Sequence, residues 1–432
     1  MRYLSTRGGT MPELIGAALS AGLAPDGGLF MPEALPLFRT DAFSGRETLP
    51  TLAAGLLEPF FLGDPLLAQL PAICAESLDI PVPLRALAPR TWMLELFHGP
   101  TASFKDFGAR FLAACLARLH TRGSAIRTVL VATSGDTGAA VAAAFHRRSD
   151  FRVVILYPDG RVSPRQAHQL GCFGDNVHAF RVAGSFDDCQ SLVKRALGDP
   201  LLAHSVPLTS ANSISLGRLL PQITYYAHAS LAHWLGHGRR LNFVIPTGNL
   251  GNALACVLAR ATGLPVGDVV LATNANRVLP DFFAGADYHA RASVATIANA
   301  MDVGAPGNFE RLRWLYSDAD ALRKALKAGS VDDDEIRDEI RQGQQRYATL
   351  FCPHTAAAAR VLDRLRAGGD HRDYAIVATA HPAKFEQVIE PIAGAAVAVP
   401  PALQTLLDRP AHSTPLAADY AALRAQLVAL AA

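Results

Sequence analysis

The sequence predicts an α/β protein built on mainly parallel sheets, and three observations lead there. From about residue 127 short β-branched runs alternate with longer Ala- and Leu-rich segments. The β-like runs are hydrophobic throughout instead of alternating, as in sheets covered on both faces. The 432 residues are 50% hydrophobic and 18% charged, which is enough chain to bury more than one core.

The elements follow in order. The first ninety residues, rich in Pro and Leu, have no strong strand period, and the turns of GLAPDGGLFMPE punctuate what is expected to be a helical layer. RTVLVATSG predicts a buried strand entering a turn, DTGAAVAAAFHRR a helix, FRVVILYPDG a strand, SPRQAHQLGCFG a helix and NVHAFRVAG a strand. The alternation continues through SFDDCQSLVKRALGD (helix), VPLTSAN (strand) and SISLGRLLPQITYYAHASLAHWL (one long helix). RLNFVIPTG, NLGNALACVLARATG and VGDVVLATN then give strand, helix and strand. This is a βαβ pattern, whose crossovers are right-handed. The charged stretch from ALRKALKAGS through DDDEIRDEIRQ predicts solvent-facing helix, its acids favouring a helix start over a metal site. DYAIVATAHP is the last strand expected, ending in a turn of small polar residues.

Charge narrows the partners. Forty basic residues nearly cancel 38 acidic ones, leaving a net charge of +2, and no run of five or six like charges is present to track a nucleic acid or an anionic membrane. Small molecules are the expected ligands. None of the six cysteines forms a CxxC pair, so buried reduced thiols are expected and no metal site. MRYLSTRGG has no secretory pattern and the apolar stretches are interrupted before they could span a bilayer, so the expected location is cytoplasmic.

In open α/β sheets ligands bind beyond the carboxyl ends of strands, where loops enter helix N-termini. Three such junctions are loaded with small polar residues: ATSGDTG (132–138), PTGNLGN (246–252) and ATAHPAKF (378–385). PTGNLGN has the makings of a phosphate cradle, because glycines let backbone N–H groups converge and the next helix offers its positive end. It lacks the Lys-Ser or Lys-Thr of a nucleotide triphosphatase loop and the spacing of a dinucleotide fingerprint. ATSGDTG is a second anion receiver, although an ordinary helix start at Asp136 or Thr137 would look the same. A fourth segment, HGPTASFKDFG (98–108), places Lys105 between Phe104 and Phe107. Only five of the 40 basic residues are lysine, so a retained lysine has a raised chance of being needed for its amine. A phosphate receiver, a carboxylate receiver and an isolated lysine are what pyridoxal phosphate acting on an amino acid would require.

HGPTASFKDFGARF, ATSGDTGAA, NSISLGRLLPQ, PTGNLGNALA, AMDVGAPGNFERL, PHTA and ATAHPAKF occur in the order and approximate spacing of one family. Over nearly its whole length the chain resembles the longer form of threonine synthase, a pyridoxal-phosphate family of the tryptophan-synthase β-subunit-like fold, fold type II. The resemblance implies two parallel-sheet α/β domains with an N-terminal helical layer: residues 1–90 mostly helical, 91–215 a smaller mobile domain and 216–432 a larger one. It implies that Lys105 is the Schiff-base lysine and that Gly248, Asn249, Leu250, Gly251 and Asn252 wrap the cofactor phosphate. Thr379 would face the pyridine nitrogen with a neutral hydroxyl. Ser134, Gly135, Asp136 and Thr137 would take the substrate carboxylate, and Asn212, Ser213, Arg218 and Lys384 the substrate's own phosphate. The implied reaction converts O-phospho-L-homoserine and water to L-threonine and phosphate, in a monomer or homodimer.

Two further readings share these residues: a related phospho-lyase releasing a 2-oxo acid and ammonia, and a non-catalytic metabolite-binding relative, against which Lys105 speaks. The sequence also departs from the family pattern. Arg277 in NANR stands where an acid is expected, Ser215 in NSIS where Asn is expected, and Cys352 in CPHT where Asp is expected; TIANAMD lacks the expected Ser-Pro lead. None of these falls on a proposed cofactor residue.

Overall fold

The computed structural model describes residues 1–121, 123–316 and 318–431. Its strands are β1 (Tyr3–Ser5), β2 (Phe30–Pro32), β3 (Leu84–Ala88), β4 (Thr91–Glu95), β5 (Arg127–Ala132), β6 (Phe151–Pro158) and β7 (Val177–Ala183). They continue with β8 (Leu208–Ser210), β9 (Leu241–Pro246), β10 (Val266–Thr273), β11 (Leu326–Ser330), β12 (Tyr374–Ala378) and β13 (Thr414–Ala417).

Two sheets organise the chain. One has the order β11-β10-β9-β12-β4-β3 and is parallel except at its β3 edge; the other is wholly parallel, in the order β13-β7-β6-β5-β8. The continuous hydrophobic runs behave as a two-faced core requires: every residue of β9 and of β12 is buried. Helices cover both faces. Asp136–Phe145 and Lys105–Leu119 pack beside the five-stranded sheet, while Gly251–Ala261 and Pro353–Ala367 cover the six-stranded one.

Within the mostly helical N-terminal layer Tyr3–Ser5 pairs antiparallel with Phe30–Pro32. Three local expectations change. The long helix from residue 213 is two helices, Leu216–Leu219 and Gln222–His237, because Pro221 cannot continue the first and instead occupies the cap of the second. Leu326–Ser330, expected as helix, is the edge strand β11, drawn into the sheet by pairing with Val269–Thr273. The expected domain limits also move. β4 belongs to the six-stranded sheet although it was placed in the smaller domain, and β13 joins the five-stranded sheet although it was placed in the larger one. The helix Tyr420–Ala431 follows β13, burying Leu423 and Leu427 against Leu192 and Val193. The acidic run behaves as expected: Asp332 caps the helix Asp333–Tyr347, accepting from the Glu335 N–H at 2.9 Å.

The C-terminal ends of β9, β12 and β5 open toward one region, bridged between the sheets by side chains. Arg165 bonds the Ala383 carbonyl at 2.8 Å and Glu390 at 3.1 Å, and the Ser163 hydroxyl donates to the Lys384 carbonyl at 2.7 Å. No helix of the described residues is long and apolar enough to cross a membrane, and all six cysteines are buried.

Candidate active site

Lys105 is the first residue of its helix, held there by the Phe104 N–H donating to the Thr379 carbonyl at 2.9 Å. The amine faces the Phe104 ring at 4.6 Å and lines two adjoining cavities. Burial first, then the positive charges of Arg218 and Lys384, lower it to about 8, with Asp136 opposing. Asp106 does not quench it. That carboxylate turns back to accept from the Thr101 N–H at 2.9 Å and the Thr101 hydroxyl at 2.7 Å.

The smaller cavity, about 60 Å³, is bounded by Gly248, Asn249, Leu250, Gly251, Asn252, Thr379, Arg218 and His354. The chain reaches it by a forced turn: Leu250 adopts φ +65°, a left-handed conformation uncommon for a residue with a side chain. Gly248 is needed for close approach, because a Cβ there would lie 2.9 Å from the Ala300 carbonyl oxygen and from Met301 Cα. The Asn249 side chain is spent on the loop itself, donating to the Ser213 hydroxyl and accepting from the Gly307 N–H. Asn252 accepts from the Tyr225 and Tyr226 hydroxyls at 2.5 and 2.8 Å, yet its buried amide NH₂ has no partner. The buried Nε of Arg218 has none either, while its Nη1 holds the Ala211 carbonyl at 2.6 Å. Unsatisfied buried donors are costly, so donors aimed at a cavity beside a helix N-terminus fit an anion such as a phosphate group.

The larger cavity, about 260 Å³, is lined by Ser134, Asp136, Thr137, Asn212, Ser213, Asn299 and Arg291. The helix Asp136–Phe145 starts here with Gly135 in the cap position, at a φ of +129° that only glycine adopts readily. The Thr133 hydroxyl accepts from the N–H groups of Gly135 and Gly138 at 3.0 and 2.9 Å, shaping the loop from below.

Two expected contacts are placed differently. Lys384, expected at the substrate phosphate, lines neither cavity; it is fully buried, with Nζ 2.8 Å from Asp136 Oδ1 and 2.7 Å from the Thr101 carbonyl. The Asp136 side chain is therefore engaged by Lys384 and Gln166. Burial acts to raise that carboxyl, and Lys384 overrides it, so Asp136 stays below its ordinary value. Arg218 lies with the cofactor loop in the smaller cavity, a placement set by the turn that brings the helix Leu216–Leu219 against Gly108.

Other site residues were not foreseen. His354 in the first turn of Pro353–Ala367 accepts from the Ala300 N–H at 3.1 Å. Asn299 donates to the Ser134 carbonyl at 3.4 Å and to Gln166 at 3.3 Å, and Gln166 donates to Asp136 at 3.0 Å. His354 stood inside the PHTA motif, but a lone His in an Ala-rich helix has no spacing that marks it. Of the sequence departures, TIANAMD supplies Asn299 and Ala300 to the cavity walls, whereas Arg277, Ser215 and Cys352 line neither cavity. Arg277 faces Asp281 and Ser330, Cys352 caps the His354 helix through its sulfur, and Ser215 is a buried cap residue. Asn274 and Asn276 of the same NANR segment hold Asp302 on the wall of the larger cavity.

A lysine amine between a phosphate cradle and a carboxylate receiver, at the ends of parallel strands, defines a pyridoxal-phosphate-dependent enzyme, and the family model of that description matches residues 80–382. Residues 2–78 match the threonine synthase N terminus and 355–427 the threonine synthase C-terminal model. The chain is 38% identical to the threonine synthase of Haemophilus influenzae over 95% of its own length and 96% of that protein. The crystal structure of Escherichia coli threonine synthase superposes with a TM-score of 0.92 at 36% identity, covering 99% of this chain and 100% of that one. A pyridoxal-phosphate-bound threonine synthase from Brucella melitensis gives 0.90 at 32% identity, covering 100% and 99%. The chain belongs to the threonine synthase family.

Proposed function

We propose that this chain converts O-phospho-L-homoserine and water to L-threonine and inorganic phosphate. One observation supports this above the others: Lys105, its ammonium disfavoured, borders both the cavity with unpaired buried donors and the cavity at the start of the helix Asp136–Phe145. Pyridoxal phosphate, when bound, supplies a conjugated ring that accepts the electron pair left at Cα when a proton departs.

The chain's own residues do the rest. Gly248, Leu250, Gly251 and Asn252, with Arg218 nearby, would hold the cofactor phosphate by backbone N–H groups and free amide and guanidinium hydrogens. Thr379 would offer the ring nitrogen a hydroxyl, which would not hold that nitrogen protonated as a carboxylate does. The Ser134 and Thr137 side chains and the backbone N–H groups of Asp136 and Thr137, next to the two that Thr133 engages, orient the substrate carboxylate. Asn212 and Ser213, on the wall of the larger cavity, receive the substrate phosphate. Lys105 moves protons: it takes one from Cα and one from Cβ as the Cγ–O bond breaks and phosphate leaves, a proton is then delivered to Cγ, water adds its oxygen to Cβ and gives up a proton, and a proton returns to Cα. Partly enclosed cavity walls keep stray water from the reacting carbons.

The test is a visible spectrum of the purified protein, followed in the same cuvette by O-phosphohomoserine with phosphate, threonine and ammonia quantified. A band from lysine-bound cofactor with equal yields of phosphate and threonine is expected. Phosphate matched by ammonia instead would overturn the proposal in favour of a phospho-lyase.

A further inference from the structure

We propose that His354 is a positioning residue that ties the cofactor loop and the substrate loop together through the backbone of Ala300. The inference rests on reading the smaller cavity as the pyridoxal phosphate site. Three contacts place His354 at the junction. Its Nε2 accepts from the Ala300 N–H at 3.1 Å. Ala300 in turn lies against the cofactor loop, its carbonyl oxygen so near Gly248 that a Cβ on that glycine would approach to 2.9 Å. The preceding residue, Asn299, reaches the other way, donating to the Ser134 carbonyl at 3.4 Å and to Gln166 at 3.3 Å. The turn of residues 299–301 is thus shared by both loops; the Met301 and Asp302 N–H groups close it internally, at 2.9 and 3.1 Å, and the imidazole holds the Ala300 N–H from outside.

The arrangement requires a neutral ring with an open Nε2 lone pair. Burial, reinforced by Lys105 and Lys384 and opposed by Asp136, keeps the imidazole neutral down to about pH 4. The proton then resides on Nδ1, which faces the Cys352 sulfur at 3.8 Å, and the Phe385 ring packs 5.0 Å from the imidazole centre. Cys352 is itself a neutral group, its thiol raised by burial. The ring is therefore held from three sides with its acceptor aimed at one N–H. Removing that acceptor leaves a half-buried donor without its protein partner and frees the turn to shift away from Gly248 and Ser134.

The experiment compares His354→Leu, which has no acceptor, with His354→Gln, whose amide oxygen can reach the Ala300 N–H. Cofactor affinity is measured by titrating apoenzyme with pyridoxal phosphate, the apoenzyme melting temperature reports folding, and KM and kcat are measured with O-phosphohomoserine. His354→Leu is expected to weaken cofactor binding about tenfold and raise KM about tenfold with a smaller change in kcat, and His354→Gln to return both to within about threefold of the parent. Values for His354→Leu within about twofold of the parent overturn the proposal, as does a Gln variant no better than Leu. If the Leu variant does not fold, His354→Asn, too short to reach Ala300, takes its place under the same limits. A parent protein that forms no visible band with pyridoxal phosphate overturns the cofactor reading itself, a failure distinct from that of His354.

Discussion

At the residue scale the site is governed by where charge is permitted. Lys105 is shifted from an ordinary 10.5 to about 8, mainly by burial, so its reactive free amine gains population as pH rises toward that value. The rate at which apoenzyme reacts with pyridoxal phosphate should therefore climb about tenfold per pH unit below about 8 and level off above it, as stopped-flow absorbance would record. Lys105→Ala should lose the visible band and reduce turnover by about 10³-fold or more while leaving circular dichroism unchanged. The neighbouring buried pair follows the opposite logic. Lys384 and Asp136 each neutralise a charge that neither could bear alone, so Lys384→Met, which strands a buried carboxylate, should cost about 3–5 kcal/mol in urea unfolding.

At the scale of elements, the chemistry belongs to strand-to-helix junctions. Each junction combines a strand that ends at a defined height in a parallel sheet with a helix whose first N–H groups lack partners. The loop after β9 is built for close approach, and Gly248→Ala would drive a methyl group into the Ala300–Met301 backbone. That substitution should weaken cofactor binding about tenfold, read by titrating the apoenzyme, with little loss of secondary structure. These junctions were legible in advance because glycine, serine, threonine and asparagine cluster at the end of an apolar run. The edge strands β11 and β13 were not. Leu326–Ser330 and Thr414–Ala417 lack a strong strand pattern, and they become strands because a sheet edge offers them unpaired backbone groups.

Across the whole molecule, two sheets meet at the site, share one hydrophobic core and are bridged by polar side chains. Arg165 reaches Glu390 and the Ala383 carbonyl, Ser163 the Lys384 carbonyl, and Gln169 the Thr101 carbonyl at 3.3 Å. A ligand bound between the sheets adds to these contacts and favours the folded state by mass action. Pyridoxal phosphate at a hundred times its dissociation constant should add about 2.7 kcal/mol, and the melting temperature should rise further with its concentration. A scanning-fluorimetry titration showing no concentration dependence would contradict binding at this junction.

The sequence by itself determined the features that depend on neighbours in the chain. Hydrophobic runs set the buried strands, small polar residues at their ends marked the loops that line the two cavities, and a rare lysine between phenylalanines marked the amine that borders both. Only the tertiary structure decided which loops share a cavity and which polar groups neutralise one another. Lys384 bonds a carbonyl 283 positions away and pairs with Asp136 instead of facing a ligand. His354 acquires its role from an Ala300 N–H on a different segment. The physical reason is range. Backbone propensity and periodicity act over a few residues, whereas desolvation and ion pairing depend on what folding brings within a few ångströms, whatever the distance along the chain.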